Sequence, residues 1–199
     1  LPDNHPCANC QKRPPPFHCC LSAFAYDAPI DQIITRFKNN PHTTEIVQLA
    51  ALSAQRITEE YERRQMEYPS IVIPLPLHWK KLTYRSFNQS QIIARLLTSD
   101  IQRLTQKTLN LRTDIAVRTV HGQAQHLLDR RKRLQGIRQA FNLRPQTAAD
   151  IHQQTIAIVD DVVTTGASAS ALARTLLEAG VHRVDVWCIA RTSWNKNPR

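Results

Sequence analysis

Ile156-Ala-Ile-Val-Asp160-Asp161-Val-Val-Thr164-Thr165-Gly166-Ala167-Ser168 is the stretch on which the fold turns. Residues 155–159 are short, apolar and β-branched, the pattern of a buried strand. Residues 167–179 then carry Leu172, Leu176 and Ala179 at helical spacing, and Gly180 closes the helix. In an open α/β sheet, ligands bind beyond the carboxyl ends of the strands. The sequence puts Asp160 and Asp161 there, directly after the strand. The helix that follows offers free backbone N–H groups and a positive dipole end, which suit a phosphate. Thr164, Thr165 and Ser168 add hydroxyl donors, and Gly166 lets the backbone approach an anion closely. Two carboxylates repel a phosphate but accept hydrogen bonds from a pair of sugar hydroxyls, and they can support a Mg²⁺-bound ligand. The pattern therefore suits a sugar bearing a terminal phosphate.

Two other readings compete for these residues. Acids after a strand also cap turns, and Thr-Gly is a common turn pair. A nucleotide-hydrolysing strand also ends apolar residues in Asp, but it needs a Gly-x-x-x-x-Gly-Lys-Ser/Thr loop elsewhere. The chain has 4 Gly, none followed by Lys, which argues against that reading.

Working outward, residues 30–37 carry Ile30, Ile33, Ile34 and Phe37 at helical spacing. Residues 44–67 place Ile46, Leu49, Ala50, Ile57 and Tyr61 on one helix face. Residues 88–105 form a further helix, with Asn88 or Ser90 as N-cap. Ser70–Pro74, Asp114–Arg118 and Val184–Ala190 read as strands. Strands alternating with helices imply a mainly parallel sheet flanked by helices, an α/β fold. Residues 1–22 read as a Cys-rich appendage, 23–192 as the domain and 193–199 as a polar, frayed tail.

The chain has 199 residues and a net charge of +10, enough length for one domain with a real core. That charge favours polyanionic partners, either phosphorylated small molecules or nucleic acid, over an inert basic surface. No apolar run reaches the roughly 18 residues of a membrane span. The N-terminus lacks the basic-then-apolar pattern of a secretory leader. The expectation is a soluble, cytoplasmic protein with no membrane insertion. The first residue is not Met, and the expectation is a fragment or a trimmed product. Cys7, Cys10, Cys19 and Cys20 cluster at one end, a placement that suggests metal rather than disulfides. Cys188 sits in an apolar stretch and reads as a small core residue.

Residues 156–168 resemble the phosphoribosyl-pyrophosphate (PRPP) signature of type I phosphoribosyltransferases. The rest narrows the resemblance to the ComF/GntX family, the competence protein F group of DNA utilization proteins. Ile71–Leu77 resembles that family's strand and proline-rich loop. Arg85-Ser86-Phe87-Asn88-Gln89 is similar to its Arg-Gly-Phe-Asn-Gln box. Arg118, Gln125, Arg133 and Ala140-Phe141 resemble its central basic segment, and Val186–Arg191 its last strand. Two positions depart from the pattern. Ser86 stands where the family has Gly, and Gly136 where Asn is usual. A loop that needs positive φ resists Ser.

The resemblance implies a type I phosphoribosyltransferase fold with a partial zinc-ribbon remnant. It implies PRPP and Mg²⁺ as ligands. Asp160 and Asp161 would hold the ribose hydroxyls, and Val162, Val163, Thr164, Thr165, Gly166, Ala167 and Ser168 would cradle the 5′-phosphate. Lys80, Lys81, Arg85 and Arg118 would neutralise pyrophosphate. Arg118 to Arg133 would form a mobile hood, although Arg130-Arg131-Lys132-Arg133 also reads as a solvated helix face. Cys7 and Cys10 match one of two family Cys pairs, half of a tetrahedral zinc site. Cys19 or Cys20, with His5 or His18, is the alternative source of a second pair. The implied setting is natural competence or DNA utilization. The alternative to an enzyme is a non-catalytic protein that binds single-stranded DNA or associates with a helicase. Trp79, Tyr84 and Phe87 are the candidate base-stacking residues, with Phe87 also a candidate for the core.

Overall fold

The computed structural model describes residues 14–77, 83, 85–119 and 140–192. A five-stranded sheet runs in the order β1 (Cys19–Ala25), β7 (Arg183–Arg191), β6 (Thr155–Val163), β2 (Ile71–Pro74), β3 (Asn110–Leu111). Every neighbouring pair is parallel. A separate antiparallel pair joins β4 (Ala116–Arg118) to β5 (Phe141–Leu143).

Period-two alternation sends each central strand's side chains into two cores. Val72, Ala157, Val159, Trp187 and Ile189 face one core. It is closed by α1 (Ile30–Asn39), α2 (Glu45–Arg63) and α3 (Gln89–Thr105). Ile71, Ile73, Ile156, Ile158, Val184, Val186 and Cys188 face the other. It is covered by α4 (Ala148–Ile151), α5 (Ala167–Glu178) and the β4–β5 pair. The α/β class with helices on both faces is as expected. Among the described residues, no helix is long and apolar enough to cross a membrane.

Helix ends follow local chemistry. Asn88 caps α3, its side chain accepting from the Ser90 N–H at 3.1 Å. After α5, Gly180 has φ +90°, and the Val181 N–H returns to the Leu176 carbonyl at 3.2 Å. A Cβ at Gly180 would lie 2.6 Å from Cδ2 of the exposed His152, whose ring would have to move, and the positive φ favours glycine whatever the space.

One expectation is corrected. Asp114–Arg118 was expected in the parallel sheet. Only Ala116–Arg118 is extended, and it pairs with β5 instead. The sheet's remaining places are taken by the two-residue β3 and by β1. Cys19 and Cys20 lie in β1, and Cys19 is buried, while His5, Cys7 and Cys10 lie outside the described residues. Among the described residues, no group of three or more His, Cys, Asp or Glu is placed to hold a metal. Cys188 is a core residue, as its setting suggests.

A buried polar network interrupts the first core. Asp185 is fully buried on β7. The Tyr61 hydroxyl donates to Asp185 Oδ2 at 2.6 Å, and Arg183 Nη2 pairs with the same oxygen at 3.3 Å. Trp187 Nε1 donates to the Tyr61 oxygen at 3.2 Å. Burial and then the Asp185 charge push both the Tyr61 phenol and the Cys19 thiol up, so both stay neutral.

Candidate functional site

β6 runs through the acidic pair rather than ending before it. Asp160 is in register with Cys188, and Val162 and Val163 with Ala190 and Arg191. The alternation lapses at this point: Val159 and Val162, three residues apart, pack against the same core. Thr164, Thr165 and Gly166 then turn the chain into α5. Gly166 is the N-cap at φ +71°, a left-handed conformation that glycine adopts without steric cost. The turn is pinned to the end of β7, where the Thr192 N–H and hydroxyl donate to the carbonyls of Val163 and Thr164, both at 3.2 Å. Thr165 Oγ1 accepts from the Ala167 N–H at 3.4 Å. Thr164, Thr165 and Ala167 are exposed and Ser168 is half-buried, so the first turn of α5 is open to an anion.

Helices on one side of the sheet hold both carboxylates. Ser90, at the start of α3, donates its hydroxyl to Asp160 Oδ1 at 3.0 Å, and the Asp161 N–H reaches the same oxygen at 2.9 Å. Lys38, in the last turn of α1, pairs with Asp161 Oδ2 at 3.2 Å, while Asp161 Oδ1 accepts from the Val162 N–H at 2.7 Å. Burial, followed by the neighbouring Asp161 charge, pushes the Asp160 carboxyl up to about 8. At neutral pH the pair is therefore not a doubly charged patch.

The Arg85–Gln89 box is the frame of the site. Asn88 Nδ2 donates to the Leu75 carbonyl at 3.2 Å, beyond the end of β2. Gln89 Nε2 donates to the Lys38 carbonyl at 3.2 Å, and Arg85 Nη1 donates to Gln89 Oε1 at 3.3 Å. Phe87 packs edge-on to Phe37, with centroids 5.9 Å apart, and so serves the core. Ser86 adopts φ +62°, a left-handed conformation that glycine adopts without the cost a side chain incurs. Ser86→Gly is therefore expected to stabilise the fold by about 1 kcal/mol in chemical denaturation, and a loss of stability would refute strain at this position.

Arg118 lies over the Phe141 ring at 5.4 Å. Burial lowers its guanidinium pKa, and the Asp160 charge opposes that shift. Lys80, Lys81, Cys7, Cys10, Gly136 and the hood residues Gln125 and Arg130 to Arg133 lie outside the described residues. Lys38 is a site residue that sequence reasoning missed. A Lys in the last helical turn reads as a partner for the helix's own carbonyls, which masks its longer reach. Ser90 was legible only as a cap.

No protein-family model matches the chain. Curated relatives match almost all of it. It is 29% identical over 197 residues to DNA utilization protein YhgH of Escherichia coli O6:H1, covering 96% of this chain and 82% of that one. It is 28% identical over 187 residues to Competence protein F of Haemophilus influenzae, covering 93% and 78%. Among solved structures, an allosteric regulatory enzyme of purine biosynthesis aligns with TM-score 0.44 and 15% identity, over 72% of this chain and 25% of that one. A purine phosphoribosyltransferase from Pyrococcus horikoshii aligns with TM-score 0.39 and 12% identity, over 74% and 89%. The chain is thus a homologue, at 27–29% identity over most of its length, of the proteins named DNA utilization protein YhgH and Competence protein F.

Proposed function

We infer that the protein binds a phosphoribosyl ligand, PRPP with Mg²⁺, and serves DNA utilization or competence in the cytoplasm. The observation that carries the ligand reading is the joining of the acidic pair to the open first turn of α5 through Gly166. Hydroxyl acceptors and anion donors lie on one continuous piece of chain, Asp160 to Ser168. A ribose phosphate presents the complementary groups in the same order. Mg²⁺ typically binds one or two carboxylates together with ligand phosphates, and this donor set fits that mode better than a dedicated cage. When bound, the ion would offset pyrophosphate charge. Arg118 and the Lys80–Lys81 pair would add cations around it, with electrostatic stabilisation as the route to any transfer reaction.

Calorimetry with PRPP and Mg²⁺ tests the site. Wild-type protein is expected to bind, and the Asp160→Asn/Asp161→Asn double variant to lose most of the affinity. Absence of wild-type binding would remove the reading. The names of the relatives and the charge of +10 favour single-stranded DNA as a second ligand. A titration with labelled single strands across salt checks it, since phosphate contacts make affinity fall steeply as salt rises.

A further inference from the structure

Lys38 holds an unusual position for a surface-helix lysine. It stands in the last turn of α1, where a cation ordinarily serves the helix's own carbonyls. Instead it crosses to β6 and meets Asp161, with both side chains largely shielded, 26% and 13% exposed. Its backbone is fixed as well. Gln89, only 2% exposed, donates to the Lys38 carbonyl. The next residue, Ser90, donates to Asp160. Two successive residues of α3 thus address the two carboxylates, one directly and one through Lys38.

The consequence is orientation. Asp161 has one oxygen on the Val162 N–H and the other on Lys38, so its carboxylate cannot rotate without breaking one of the two. The ammonium stands beside Asp161 as its counter-charge. Of its three N–H donors, Asp161 Oδ2 needs only one.

We propose that Lys38 is a positioning residue of this site: it fixes the aim of the Asp161 carboxylate beside Asp160, so that the acid meets the ribose hydroxyls of a phosphoribosyl ligand. The proposal rests on the reading of the site as a ribose-phosphate cradle. It concerns the sugar end of the ligand, because Lys38 acts through the hydroxyl acceptors and not through the turn at Gly166.

The test compares Lys38→Met and Lys38→Arg in the full chain, using calorimetry with PRPP and Mg²⁺, with ribose 5-phosphate and with inorganic phosphate. Lys38→Met is expected to weaken both sugar phosphates by on the order of tenfold, the loss of one charge-assisted hydrogen bond. Inorganic phosphate should bind unchanged, a split that general damage to the fold would not give. Lys38→Arg, which keeps a donor and a charge, should recover most of the affinity. Amide correlation spectra confirm that each variant is folded. Equal sugar-phosphate binding by wild type and Lys38→Met overturns the role of Lys38 alone. Equal weakening for inorganic phosphate also overturns it, in favour of a structural role. A wild type that binds none of the three ligands overturns the phosphoribosyl reading and this proposal with it.

Discussion

The Asp160→Asn variant is expected to be more stable than the wild type at pH 8, with an advantage that shrinks steadily as the pH falls towards 4. Burial and the Asp161 charge push the Asp160 carboxyl up to about 8 in the folded protein. In the unfolded chain it titrates near the ordinary value of about 3.9. Between those two values the folded state holds a proton that the unfolded state has released. Stability therefore falls as pH rises through this window, by about 1.4 kcal/mol per pH unit at the steepest. It is fully present below about 4 and levels off above about 8. The amide of Asn keeps an oxygen to accept from Ser90 and from the Asp161 N–H, and it cannot ionise. Thermal unfolding of both proteins at one-unit pH steps gives the difference curve. A curve that is flat across the window would show that Asp160 is not held protonated. Asp161 is the carboxylate held by Lys38 and the Val162 N–H, so Asp160→Asn should retain more ligand affinity than Asp161→Asn.

Asp185→Ala is expected to cost about 3–5 kcal/mol, the usual penalty for removing one partner of a buried ion pair. The substitution leaves the buried Tyr61 hydroxyl without its acceptor and the partly exposed Arg183 guanidinium without its carboxylate, with only the Glu67 carbonyl left to it among the described residues. For a chain of this length the melting temperature should fall by on the order of 10 °C. Asp185→Asn retains an acceptor for Tyr61 and should lose less. Asp185 is level with Ala157 on β6, three residues before Asp160, and its bonds run to Tyr61 and Arg183. Ligand affinity of the folded fraction should therefore stay as in the wild type. Urea unfolding measures the loss, and a cost below about 1 kcal/mol would mean that the network is solvated or already frustrated.

What the sequence made legible follows from periodicity. β6, β7 and the helices at 30–39, 45–63, 89–105 and 167–178 all announce themselves through apolar spacing, and they set the fold class. β1 was hidden because Cys19-Cys20-Leu21-Ser22 reads as the end of a Cys-rich segment. It becomes a strand only by pairing with β7, a partner far along the chain. β3 has two residues and no pattern to read. The acidic pair and its loop were legible because their chemistry is written consecutively. Lys38 was not, because its role depends on where α1 ends relative to β6, a tertiary fact with no local trace. The importance of position 86 was legible: a non-glycine residue is held there at positive φ.

The frame around the acidic pair has a consequence for assembly. Lys38, Leu75, Gln89 with Ser90, and Asp160 with Asp161 come from four distant stretches, and separations of 51 and 70 residues must close before Gln89 meets Lys38 and Ser90 meets Asp160. Closing loops of that length carries an entropy cost that only the completed core repays. A peptide or truncated chain bearing residues 155–178 would carry the whole signature and none of its electrostatic setting. Competence to hold a ligand therefore arises late, as a property of the finished tertiary fold, and any lesion that loosens the seat of α1 or α3 would silence the site while leaving its recognisable residues untouched.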